Sequence, residues 1–169
     1  MLFAMKLALS LLAFSAAAFA QQPPTLMTQA QTGFTRSHDY VLRSAIKMPA
    51  DAFSFQPTPQ VRTFGALIGH IVETNYYFCS TMKGEENPGK DIEKTKTTKD
   101  ALVQAVKDVQ AYCEPVVKSM GVDTKVKNGT RELPGLGVVF NMNAHTLEHY
   151  GNMTTYMRIK GIVPASSEN

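Results

Sequence analysis

Apolar residues recur along this chain at helical intervals, and strand-like alternation is weak throughout. From Leu26 to Met48 the positions Leu26, Ala30, Phe34, Val41 and Ala45 predict helix one, which Pro49 ends. A connector rich in Phe and Pro leads to Thr63, the expected N-cap of helix two. That helix carries Phe64, Leu67, Ile68, Ile71, Phe78 and Met82 and stops at Gly84. Helix three opens at Thr97 or Thr98 and carries Leu102, Ala105, Val106, Val109, Cys113, Val116 and Met120. A kink is expected at Pro115, which cannot donate to the carbonyl of Ala111. Residues 121–134 read as a polar connector, and helix four runs from Gly135 to Lys160 before Gly161 and Pro164 end it. Four long helices without repeats predict an all-α fold, a single four-helix bundle.

One connection departs from the usual pattern. Residues 84–97 join helices two and three, whereas antiparallel neighbours need roughly two to eight residues. Fourteen extended residues reach about 45 Å, enough to run back along a helix of about 30 Å. The length therefore permits a crossover that leaves helices two and three parallel. Cys79 lies 16 residues beyond Thr63 and Cys113 lies 15 beyond Thr98, so parallel helices would set the two cysteines level. A disulfide is then within reach, the alternative being two buried thiols.

The N-terminus has the composition of an export signal. Lys6 precedes an apolar run from Leu7 to Phe19, and Ala18-Phe19-Ala20 fits a secretory cleavage site. Residues 1–20 are expected to be a cleaved signal peptide, and residues 21–169 the functional domain. The run is short for a membrane span, and no cysteine follows the cleavage point to carry a lipid, so no stable membrane anchor is expected. A periplasmic or secreted protein fits, and an oxidising compartment favours the disulfide. Removing residues 1–20 from the chain of 169 leaves 149, enough for one domain with a core. Only Lys6 carries charge in the removed segment, so the net charge falls from +3 to +2. Lysines between Lys83 and Lys99 alternate with Glu85, Glu86, Asp91 and Glu93, which reads as a solvated loop, and no nucleic-acid partner is expected.

The strongest chemical signal is histidine. His145 and His149 lie one helical turn apart on one face of helix four, a spacing that suits chelation of one ion. His70 lies 7 residues beyond Thr63 in helix two, while His145 and His149 lie 10 and 14 beyond Gly135. If helices two and four are antiparallel, all three fall at similar height. On helix four they share a stripe with Val138, Met142, Met153 and Tyr156, and His70 shares one with Ala66, Leu67, Thr74 and Tyr77. Imidazoles converging in an apolar core are costly unless their nitrogens are satisfied, and a metal does this directly. With position, spacing and level in agreement, a metal site is favoured over three separately hydrogen-bonded histidines. Zn is the first choice, with Ni, Fe or Cu as alternatives. Tyr76, Tyr77 and Asn141 are expected near that pocket, Glu148 points about 100° away from both ligands, and His38 reads as structural.

Two segments resemble those of a known family. Phe64-Gly65-Ala66-Leu67-Ile68-Gly69-His70 is similar to the helix-two motif of the DinB superfamily of metal-binding bundles, and His145-Thr146-Leu147-Glu148-His149-Tyr150-Gly151 to its helix-four motif. Met157 to Pro164 resembles the end of that helix in exported members. The resemblance implies an up-down-down-up bundle in which His70, His145 and His149 bind a divalent metal with at least one position open. Many relatives have Gln three residues after the second helix-four histidine, where this chain has Asn152. The function implied is a metal-dependent enzyme, hydrolase-like or transferase-like, acting on a small molecule whose identity is open. Its alternative is a non-catalytic exported bundle that holds a metal or small ligand. No catalytic residue is assigned, and a homodimer is left open.

Overall fold

The computed structural model describes residues 23–168, so the signal peptide expected at residues 1–20 and its cleavage before Gln21 lie outside the described residues. Four long helices form the body: α1 (Leu26–Lys47), α2 (Phe64–Lys83), α4 (Lys99–Ser119) and α5 (Gly135–Ile159). Their ends follow local chemistry. Thr25, Thr63 and Thr98 cap α1, α2 and α4, each hydroxyl accepting from the backbone N–H three residues on. Gly84 closes α2 in the left-handed conformation at φ 71°. Pro115 lies within α4, and the helix continues past it to Ser119.

Side-chain contacts set the directions. Asn143 donates to the carbonyl of Ala30 at 2.7 Å and Tyr40 stacks on Tyr150, so α1 and α5 run parallel. Gly65 packs on Leu102, and Cys79 is disulfide-bonded to Cys113 with Cα atoms 5.4 Å apart, so α2 and α4 run parallel as well. Between these pairs the order reverses: Tyr156 donates to the carbonyl of Arg62, and Thr146 donates to Asn75 Oδ1. The result is a four-helix bundle with an up-down-down-up course and a crossover between α2 and α4. Phe34, Phe64, Ile68, Leu102, Met142 and Met153 are fully enclosed at its centre. Each such side chain contributes on the order of 1.5–3 kcal/mol by leaving water.

Three regions differ from the sequence reading. Residues 125–134 are a hairpin, β1 (Lys125–Asn128) antiparallel to β2 (Arg131–Pro134), where a polar connector was expected. Val126 is buried between exposed Lys125 and Lys127, and Gly129 turns the chain at φ 60°. Leu26 is exposed, because the bundle closes one residue later on Met27. The crossover is not a free solvated loop: it forms one helical turn, α3 (Ile92–Thr95), whose Ile92 is buried against the core.

Candidate metal centre

The centre is built where α2 and α5 face each other. Capping at Thr63 fixes the start of α2, and two turns later His70 points across to α5. His145 and His149 present their rings from successive turns of α5. His145 Nε2 lies 3.2 Å from His70 Nε2 and 3.1 Å from His149 Nε2. All three rings are half-buried, and one donor nitrogen from each lies within 4.8 Å of the others.

Burial lowers the pKa of His145 to about 4, helped by repulsion from His149 and His70. Burial also lowers that of His149, again with His70 contributing. Both are therefore neutral at neutral pH, with lone pairs available. His70 is oriented differently. Its Nδ1 lies 3.1 Å from Glu93 Oε2, and a carboxylate only accepts, so the proton resides on Nδ1 and the Nε2 lone pair faces the other histidines. Arg62 Nε donates to the second oxygen of Glu93 at 2.9 Å.

A family model described as the DinB superfamily matches residues 34–153, a span that includes all three histidines. The chain belongs to the DinB superfamily. A DinB-like protein from Bacillus cereus has the same fold, with a TM-score of 0.66 and 17% identity over 80% of this chain and 93% of that one. A DinB-like protein from Bacillus subtilis gives a TM-score of 0.67 and 18% identity over 83% and 99% of the two chains. The mycothiol-dependent maleylpyruvate isomerase is similar at a TM-score of 0.60 and 14% identity, covering 75% of this chain and 60% of its own. No curated protein is significantly similar to this chain.

Within this DinB-superfamily bundle the three histidines expected from the sequence come together, but their expected neighbours do not. Tyr77 is exposed, and its hydroxyl accepts from Asn128 Nδ2 at the hairpin. Tyr76 packs on Tyr112 and Gly89. Asn141 turns into an apolar groove of about 900 Å³ between α1 and α5, beside Leu26, Gly33 and Phe140. The stripe that His70 shares with Leu67 leaves the core at Tyr77. His38 is enclosed in the core with Nδ1 3.0 Å from the carbonyl of Phe34, as its structural assignment requires. Glu148 is exposed.

Glu93 is the residue that sequence reasoning missed. It lies in a run of mixed charge that reads as solvated, and its only marker is the isolated apolar residue Ile92 beside it. An apolar side chain inside a charged run signals that the segment docks somewhere.

Proposed function

We propose that this protein is an exported metal-dependent enzyme that binds one divalent ion through the Nε2 atoms of His70, His145 and His149. The observation carrying this reading is the spacing of those atoms, 3.2 and 3.1 Å between successive pairs. Tetrahedral ligands at about 2.0–2.1 Å from zinc lie about 3.3 Å apart, a separation that two of the three pairs match, while the third pair, within 4.8 Å, closes to it when the ion binds. Neutral imidazoles select Zn, with Ni, Fe or Cu as alternatives, over Mg or Ca. When bound with a further position open, such an ion polarises a carbonyl or makes a water or thiol more acidic. The remaining work falls to the chain: burial keeps His145 and His149 unprotonated, and Glu93 holds the His70 ring.

The reaction class is hydrolase-like or transferase-like on a small electrophile. The isomerase of similar fold takes mycothiol according to its name, which supports thiol chemistry. The export reading favours a hydrolase-like reaction, since cytosolic thiols are not at hand outside the cytoplasm. That export reading rests on the leader-like residues 1–20, and the Cys79–Cys113 disulfide supports it. Among the described residues no helix is long and apolar enough to cross a membrane.

A second reading, a non-catalytic metal- or ligand-binding bundle, draws on one observation. The carboxylate touching the histidines has both oxygens engaged, by His70 and Arg62, and is not free as a general base. Metal analysis of purified protein tests the site: about one equivalent is expected, and a metal-free preparation that takes up no added Zn, Ni, Cu or Fe refutes it. Azide titrated into a Co-substituted sample then separates the two readings. A perturbed visible spectrum favours the enzyme, and an unchanged one the binding protein.

A further inference from the structure

We propose that Glu93 is a positioning residue of the metal centre, and that the crossover segment between α2 and α4 sets metal affinity through it. This inference rests on the three-histidine reading. Glu93 is not a fourth ligand. Its Oε2 lies 3.1 Å from His70 Nδ1, whereas the converging donors are the Nε2 atoms on the opposite side of the ring. What it does is hold the His70 proton on Nδ1 and fix the plane of the ring, leaving the other nitrogen as the donor. Carboxylates behind ligating histidines act in this way in metal sites generally.

Glu93 is itself held through both its side chain and its backbone. Arg62, from the connector before α2, donates through Nε to Glu93 Oε1 at 2.9 Å. The backbone N–H of Glu93 donates to Glu73 Oε2 at 3.1 Å, one turn beyond His70 on α2. Gly69 supplies the room, since a Cβ there would lie 2.8 Å from the Cα of Glu93. Buried Ile92 anchors the preceding residue. Among the described residues His145 and His149 have no counterpart to this arrangement, and their buried Nδ1 atoms lack partners there. Among the described residues His70 is thus the one of the three histidines whose orientation depends on a segment outside the four long helices.

Zinc affinity of the intact, folded protein, measured by competition with a chromophoric chelator, tests the assignment. Glu93→Ala is expected to weaken zinc binding about 10–100-fold. Glu93→Gln, which keeps an accepting oxygen, should lose less and restore the Co(II) visible spectrum that Glu93→Ala shifts. Gly69→Ala, whose added Cβ would meet the Glu93 backbone at 2.8 Å, should weaken zinc in the same direction. Glu86→Ala, on the same segment but with its side chain 85% exposed, should leave affinity unchanged. Circular dichroism identifies any variant that fails to fold, and Glu93→Gln then carries the comparison with wild type. Equal zinc affinity in wild type and the folded Glu93 variants overturns this inference alone. If wild type binds no metal, the three-histidine reading fails, and the role of Glu93 falls with it.

Discussion

His70 and His145 approach to 3.2 Å through their Nε2 atoms, although 75 residues separate them and their helices run in opposite directions. The contact depends on the level at which α2 and α5 pair, and the neighbouring Asn75–Thr146 hydrogen bond pins that level from inside the core. A slip of one turn would move the rings about 5 Å apart along the axis. The centre therefore inherits its precision from the packing of the bundle.

His145→Ala and His149→Ala each remove one of the two rings that α5 contributes. Each variant is expected to lose most of its bound metal while keeping a helical circular dichroism spectrum, because neither side chain is part of the apolar core. Metal content per folded monomer is the measurement. Full occupancy in both single variants would show that the histidines are not ligands.

The disulfide closes 34 residues between α2 and α4. Constraining a loop of that length stabilises by roughly 3–4 kcal/mol in the chain-entropy account. For a domain of this size the effect corresponds to about 10 °C in Tm. Thermal melts with and without reductant should differ by that order, and intact mass under non-reducing conditions should be lighter by two hydrogens. A melting curve indifferent to full reduction would contradict the assigned role of the bond.

Burial lowers the pKa of His38 to about 4, from an ordinary value near 6.5. Between those values the unfolded chain binds the proton and the folded one does not, so stability rises with pH across this window. His38 costs the fold nothing above about pH 6.5, and its contribution is lost as pH falls towards 4, by roughly 3 kcal/mol. Urea denaturation of metal-free protein should show a shallower loss of stability between pH 7 and 4 in His38→Leu than in wild type. Identical pH dependence in the two proteins would rule out His38 as the acid-sensitive group.

Protein recovered from its native compartment is expected to begin at Gln21, after the Ala18-Phe19-Ala20 site. N-terminal peptide mapping reads the outcome directly. An uncleaved N-terminus on mature material would remove the support for export.

Much of this protein is local and therefore legible in one dimension. Thr63, Thr98 and Gly84 mark helix ends because capping involves residues only a few positions apart. The four-residue spacing of His145 and His149 places them on one face of any α-helix. The constant rise per residue explains why nearly equal offsets from two helix starts put Cys79 and Cys113 within reach of each other once the crossover was admitted. The hairpin was also written locally, in alternating Lys125, Val126 and Lys127 and in Asn128-Gly129, but four residues give too short a period to stand out.

Tertiary structure alone decided the rest. Tyr77 and Asn141 lie on or near histidine stripes, yet they face the hairpin and the α1–α5 groove, because the rotation of each helix is set by all its neighbours at once. Glu93 reaches His70 only because Gly69, on another element, leaves space for its backbone, and Arg62 and Glu73 hold it there. A charged side chain carries no mark of its destination in its own sequence surroundings. Its partner is chosen by packing that involves residues far along the chain, so the ligands of this centre could be read from spacing while the group that orients one of them could not.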